Sequence, residues 1–366
     1  MPNVSAPALT EFATKLFNAA GVAEAEAAIV ARSLVGANLR GHDSHGVMRI
    51  PQYIGFLERG EYVAGVELKV EHETSAVIVC DGQWGLGQVQ AYRLLERMLP
   101  KAEALGLAAG TMRDCGHIGR LGEYAERAAE AGMILIATVN NGGAGQRVAP
   151  PGGIEPRLAT NPLCVGVPTT SAELPIILDF GTSVAAEGKV RVHHISGRPV
   201  PDGWLLDSMG RPTNDPSVLY QPPAGSILPM GGQQSYKGFG LAVVLDLLSG
   251  GLSGGACSHP EAPAVRGNNV FFLLIAPALF AGAERLRRQA TDLADYIRAT
   301  PRAGGVESIL LPGDPERAVL ELRTRQGIPL EANHWDLLLE QARKLNVSLP
   351  VNLEASSPNP RLRSDH

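Results

Sequence analysis

Residues 76–88 read Ala-Val-Ile-Val-Cys-Asp-Gly-Gln-Trp-Gly-Leu-Gly-Gln: an apolar strand run, a turn, and the start of a helix that extends to about Leu105. This strand–turn–helix unit sets the class as α/β. Gly85-Leu-Gly87 also invites comparison with the G-x-G-x-x-G loop that seats a pyrophosphate at a helix N-terminus. The comparison fails twice. Gln90 stands where the third glycine belongs, and no strand about 20 residues later ends in an acid that could hold a ribose; Glu103 lies inside the helical pattern. A Walker A loop is absent as well. The two glycines therefore read as a tight strand-to-helix turn, and any dinucleotide must be held by other residues.

Working outward, Leu107–Met112, Met133–Val139, Leu163–Val167, Ile176–Leu178 and Val270–Ile275 read as buried strands, with helical patterns at Leu121–Ala131 and Phe239–Leu248. Upstream the texture is helical. Leu9, Phe12, Ala13, Leu16 and Phe17 fall at helical spacing, and a second, Ala-rich helix runs from Ala23 to Leu39. Ser196–Gln234 is rich in Gly and Pro and predicts turns with a hairpin at Asp207-Ser-Met-Gly210. Helices return at Ala283–Arg298 and His334–Leu345. The expected organisation is a helical segment 1–74, a sheet domain 75–304 with a Gly/Pro-rich insertion near 196–235, and a segment 305–366 packing with the first. The polar tail Ala355–His366 is expected to be disordered.

A net charge of −5 over 366 residues leaves no diffuse basic surface for nucleic acid, so an acidic ligand must meet a few placed cations. Met1–Ala13 lacks the basic and apolar regions of a signal peptide. The best apolar run, Leu241–Leu248, is short for a membrane span and contains Asp246. Cys80, Cys115, Cys164 and Cys257 form no C-x-x-C pair and read as reduced thiols, which points to the cytoplasm.

The densest polar cluster is Arg40-Gly-His-Asp-Ser-His-Gly-Val-Met-Arg49. Ser44 can cap a helix begun at His45, which would put His45 and Arg49 on one face. An arginine fork grips a carboxylate bidentately, and an imidazole can trade a proton with the neighbouring hydroxyl or carbonyl oxygen. Two other readings stand beside this one. The cluster can be a solvated helix start, or His42, Asp43 and His45 can serve a metal-dependent lyase, although a third and fourth ligand at familiar spacing are missing. No metal is expected. His193 and His194 read as surface residues at a helix end.

Gly41-His-Asp-Ser-His-Gly-Val-Met-Arg49 resembles the signature of the type-2 malate/L-lactate dehydrogenase family, which also holds ureidoglycolate, sulfolactate, diketogulonate and piperideine-carboxylate enzymes. Further matches follow in order: Gly116-His-Ile-Gly119, Thr160-Asn-Pro-Leu163, Leu178-Asp-Phe-Gly-Thr-Ser183, Gly188-Lys189, Pro201-Asp-Gly-Trp204, Pro212-Thr-Asn-Asp-Pro216, Tyr236-Lys-Gly-Phe-Gly240 and Pro312-Gly-Asp314. The resemblance implies a non-Rossmann NAD(P)-binding fold, with a central mixed sheet, helical layers and a helical domain from both termini. It implies a homodimer that uses NAD or NADP to interconvert a small 2-hydroxy acid and its 2-oxo acid, or, in another branch, to reduce a cyclic imine with NADPH.

By motif match, His45 becomes the proton donor and acceptor with Ser44 beside it, and His117 a second active-site histidine. Arg49, Thr160 and Lys189 fall at substrate positions. His117, Ile118, Gly119, Arg120, Leu121, Leu178, Asp179, Phe180, Tyr236, Lys237, Pro312, Gly313 and Asp314 fall at cofactor positions. Arg120 is a candidate for a 2′-phosphate, against the plainer reading of an exposed arginine at a helix start. Three departures stand out. Arg113-Asp-Cys-Gly replaces an asparagine-rich approach to His117, Asp314 replaces the commoner glutamate, and Lys189 replaces the aspartate of the piperideine-carboxylate branch.

Overall fold

The computed structural model describes residues 2–172, 174–262 and 267–349; the tail Ala355–His366 lies outside the described residues. The chain opens with strand β1 (Asn3–Val4) and helices α1 (Ala6–Ala19), α2 (Glu24–Leu39) and α3 (Ile50–Glu58). Strands β2 (Lys69–Glu73) and β3 (Val77–Asp81) lead through α4 (Gly87–Leu105) to β4 (Leu107–Gly116). Then come α5 (Gly122–Glu130), β5 (Ile134–Asn140), β6 (Pro162–Val167), β7 (Ile176–Gly181) and α6 (Glu187–Ile195). Short strands β8 (Leu205–Leu206), β9 (Pro212–Thr213) and β10 (Ser226–Ile227) precede α7 (Ser235–Asp246), β11 (Gly267–Ile275) and α8 (Ala283–Arg298). Helix α9 (Asp314–Gln326), strand β12 (Ile328–Pro329) and helix α10 (Ala332–Lys344) close it.

Two compact units result: a smaller one from the described residues of 1–66 and 314–366, and a larger one continuous from Glu67 to Gly313. In the smaller unit the helical spacing read for α1 buries Leu9, Phe12, Leu16 and Phe17 completely, with the Phe12 ring 6.0 Å from that of Trp335 on α10. Truncating such a side chain to alanine costs roughly 3–5 kcal/mol, because the cavity adds to the lost transfer energy.

The larger unit is built on a seven-stranded sheet in the order β2-β3-β4-β11-β5-β6-β7. Only β3 and β4, joined by α4, run parallel; every other neighbouring pair is antiparallel. Strand β11 enters the middle of the sheet from far along the chain, and its apolar run is buried on both faces, as a central strand requires. One face, with Leu135, Ala137, Phe272 and Leu274, packs on Leu94, Tyr124 and Ala125 of α4 and α5. The opposite face receives α7 and the π-helical turn Leu247–Gly251 that continues it, where Ser249 Oγ meets Thr138 Oγ1. A three-stranded sheet, β10-β8-β9, contains the expected hairpin, with Asp207 closing the turn on Arg211.

The structure adds elements the apolar pattern did not reveal. Strand β2 pairs with β3 at the sheet edge, yet its sequence Lys-Val-Glu-His-Glu shows almost no burial. Helix α9 buries no residue and is held instead by charge, including Arg323 on Asp43. Helix α7 starts at Ser235, four residues before the expected Phe239.

Candidate active site

In the smaller unit the single helix expected from His45 onward does not form. Two 3-10 turns, Asp43–His45 and Val47–Arg49, are separated by Gly46 in an extended conformation, φ −90° and ψ −157°. The cause is Asn38 on α2, whose Oδ1 accepts the Val47 N–H (2.8 Å) while its Nδ2 donates to Asp43 (2.6 Å). A Cβ at residue 46 would lie 2.2 Å from Asn38 Oδ1, so only glycine fits. Ser44 caps nothing here; its Oγ sits 3.0 Å from His45 Nδ1.

Arg49 is tied back into the same loop. Its Nε donates to the Ser44 carbonyl (2.7 Å) and its Nη1 to Gln52 Oε1 (2.9 Å), and no carboxylate pairs with it among the described residues. A half-buried guanidinium fixed by two neutral acceptors keeps its charge for an incoming anion. His42 and Asp43 are differently engaged: His42 Nε2 lies 3.3 Å from Glu316, and Asp43 takes two bonds from Arg323 at 2.6 and 3.0 Å. Among the described residues no three His, Cys, Asp or Glu side chains are grouped to hold a metal, so the metal-lyase reading has no donor set there.

The residues matched to cofactor positions, all but Asp314 in the larger unit, sit on several elements. His117 lies just beyond β4, on a turn where Gly119 N–H reaches His117 Nδ1 (3.3 Å) and Ile118 N–H donates to Asn268 Oδ1 (2.9 Å). Gly87 packs directly on this turn: a Cβ there would lie 2.2 Å from Gly116 O and 2.4 Å from His117 O. That close approach is what Gly85-Leu-Gly87 serves. Nearby, Gln83, Trp84 and Asp114 all take positive φ, a concentration of backbone strain beside the turn. The side chains of Ile118 and Leu121 belong to the hydrophobic core, which leaves their main chain as the part able to meet a ligand.

Arg120 is not the exposed arginine of a helix start. It is 4% exposed and paired with Glu126 at 2.7 Å, while its Nε and Nη1 find no hydrogen-bond partner among the described residues. Asp179 on β7 accepts the Gly122 N–H (2.7 Å), which fastens the start of α5 to the strand. Leu178 and Phe180 point to the other face of β7, where they pair across with Val165 and Leu163 and remain half-buried. Thr160 O accepts the Thr182 N–H, and Thr182 O in turn accepts Met230 N–H, so these segments adjoin; Met230 packs against Gly238 in the first turn of α7. Pro312 O accepts Ile177 N–H at the start of β7, Gly313 follows at φ +94°, and Asp314 opens α9 bonded to Arg317. Lys189 is exposed in the first turn of α6.

Lys237 stands exposed in the first turn of α7, a helix start with no acidic residue and no side-chain cap. No carboxylate pairs with this lysine among the described residues. An exposed ammonium at the positive end of a helix dipole is chemistry a diphosphate can use, and the half-buried apolar face of β6 and β7 suits a flat ring. The residues present fit a nicotinamide dinucleotide. Arg113, which departs from the family pattern, bridges Glu71, Asp81 and Asp114 at 2.6–2.9 Å and holds the Glu71 carboxyl below the usual range by its hydrogen bond. Burial pushes the Cys80 thiol up to about 12 and raises Cys115 and Cys164 as well, which leaves no activated thiol among these three.

Sequence reasoning missed a buried polar network of Asn140, Asn161, Asp246, Asn268 and Asn269 in the larger unit. Its one signal in the sequence was Asp246, a carboxylate interrupting the apolar run Leu241–Leu248.

A mixed sheet without a phosphate-binding glycine loop sets the fold outside the Rossmann class of dinucleotide-binding proteins. The chain belongs to the malate/L-lactate dehydrogenase family, whose profile matches residues 4–339. It is 37% identical over 346 residues to hydroxycarboxylate dehydrogenase B of Escherichia coli K12, covering 93% of this chain and 94% of that one. The structure of malate dehydrogenase from Pyrococcus horikoshii superposes with a TM-score of 0.85 at 31% identity, covering 95% and 97% of the two chains. Sulfolactate dehydrogenase from Methanocaldococcus jannaschii gives 0.84 at 31%, covering 95% and 98%. This chain is an NAD(P)-dependent enzyme that interconverts a hydroxy acid and its oxo acid. No helix among the described residues is long and apolar enough to cross a membrane.

Proposed function

We propose that the substrate is a short 2-oxo acid and its 2-hydroxy partner of the malate, lactate or sulfolactate type, with Arg49 gripping the carboxylate and His45 moving the proton. The observation that carries this reading is the tether of Arg49 to Ser44, in a loop where Ser44 also meets His45 Nδ1. With Nδ1 turned to the serine, Nε2 is the atom that exchanges a proton with the substrate oxygen. The bound nicotinamide supplies or accepts the hydride. Lys237 and the first-turn amides of α7 hold its diphosphate, the His117–Leu121 turn and Leu178–Phe180 border it, and Thr160 contacts the substrate. Lys189, a cation where the imine-reducing branch has an aspartate, supports an acid substrate over a cyclic imine. The test is a screen of pyruvate, oxaloacetate, sulfopyruvate and longer 2-oxo acids with NADH and NADPH, read as loss of reduced-nicotinamide absorbance. Turnover of none of them would remove this reading.

A homodimer belongs to the same proposal. Helix α7 and its continuation expose Tyr236 (61%), Val244 (51%), Leu247 (56%) and Leu252 (57%), apolar side chains of the kind a partner covers. Light scattering should give twice the 38.6 kDa chain mass, and Val244→Glu should shift it towards the single-chain value. A fully active wild-type monomer contradicts the dimer. Four unpaired cysteines support a cytoplasmic location; recovery of the protein from an extracytoplasmic fraction would refute it.

A further inference from the structure

The buried network beneath the His117 turn has an architecture that packing alone does not require. Asp246, 4% exposed, accepts from Asn140 Nδ2 (3.1 Å), Asn161 Nδ2 (3.2 Å) and the Ser258 N–H (2.8 Å). Asn268, 4% exposed, donates from Nδ2 to Asn140 O (3.0 Å) and accepts Ile118 N–H at Oδ1 (2.9 Å). The members therefore lie on four segments at once: the end of β5, the Thr160-Asn161 segment, the end of α7 where it passes into a π-helical turn, and the start of β11. The side-chain nitrogens of Asn140, Asn161, Asn268 and Asn269 each donate to a defined acceptor, in a site away from water where such bonds are strongest and hardest to replace. A π-helical turn inside a longer helix is itself a frequent companion of functional sites.

We propose that Asn268 is a positioning residue for the reduced cofactor: it fixes the His117–Leu121 turn through the Ile118 N–H and couples that turn to Asp246 and Asn161. The inference rests on the reading that His117 borders the cofactor. The other side of the turn is already set, by Gly87 against Gly116 and His117 and by Gly116 N–H on Gly85 O (2.9 Å). Tyr124 Oη holds the Ile118 carbonyl (2.6 Å), and Asn268 takes the Ile118 N–H. Without Asn268 the Ile118 N–H loses its acceptor; the Ile118 carbonyl keeps the Tyr124 hydroxyl, so the turn stays anchored there and loosens on the amide side that the cofactor meets.

The experiment titrates NADH and NADPH into wild type, Asn268→Leu, Asn268→Ser and Asn268→Ala by nicotinamide fluorescence, and follows amide exchange in a peptide spanning 116–122. Asn268→Leu should raise the cofactor Kd about five- to tenfold, the scale of one hydrogen bond, and speed exchange in that peptide selectively. Its kcat at saturating cofactor should fall less than its kcat/KM. Asn268→Ser, with a hydroxyl able to accept from Ile118, should keep its Kd nearer wild type than Asn268→Ala. If Asn268→Leu does not fold, the serine–alanine pair decides, and equal Kd values for the two overturn the proposal. His117→Ala separates the two levels of the argument. If it weakens cofactor binding or turnover while the Asn268 variants bind like wild type, the positioning role is wrong and the site reading stands; if it changes neither, the site reading itself is lost.

Discussion

His45→Ala is expected to lose about 10²- to 10⁴-fold in kcat, the usual contribution of a positioned general acid–base group, while still binding the reduced cofactor. The loss falls on kcat because the imidazole acts on a proton in flight rather than on the ground-state complex. The geometry sharpens the expectation. Ser44 Oγ at 3.0 Å engages Nδ1, so alanine removes Nε2 as the proton-exchanging atom and leaves the serine without its ring partner. The activity that remains should lose the pH step a titrating imidazole imposes. His117→Ala should cost less in kcat and keep the step. If the step disappears only in His117→Ala, the roles of the two histidines are exchanged.

Arg49→Lys should raise the substrate KM roughly 10- to 100-fold, the worth of a hydrogen-bonded charge pair, and lower kcat with it. Lysine retains the charge and discards the fork. The guanidinium uses Nε on Ser44 O and Nη1 on Gln52, so its position is fixed before substrate arrives. A lysine ammonium cannot reproduce both tethers and still present two parallel donors to a carboxylate. The substrate then binds in several orientations, and the misplacement reaches the chemical step. A folded Arg49→Lys enzyme with wild-type constants would show that the carboxylate is met elsewhere.

How far the sequence could be read depended on whether a contact was local. The strand–turn–helix of residues 76–88, the apolar strands and the hairpin at Asp207–Gly210 are visible because periodicity and turn chemistry act over a few residues. The place of β11 between β4 and β5 is not, since Val270 pairs with Met112 across more than 150 residues of chain. Strand β2 and helix α9 escaped notice because edge pairing and ion pairs hold them, and neither leaves an apolar stripe. The same limit shaped the site. Residue types at His45 and Arg49 suggested the chemistry, but an ideal helix was the wrong geometry for joining them, because Asn38 occupies the space that forces Gly46 to extend. Arg120 looked like a surface residue by type; the fold buries it instead and pairs it with half-buried Glu126 of α5.

The pairing of β1 with β12 sets a schedule for the chain's birth. Asn3 donates to the carbonyl of Gln326, 323 residues later, and Leu330 N–H closes on Pro2 O. At ribosomal rates of about 5–20 residues per second, the first strand waits roughly 16 to 65 seconds for its mate. Residues 67–313 can emerge and fold as one uninterrupted piece during that interval. Helix α2 can cover part of α1 early, but the side where Phe12 meets Trp335 stays open until the last described helix leaves the exit tunnel, so a nascent chain stalled before residue 328 carries a hydrophobic seam for chaperones to guard.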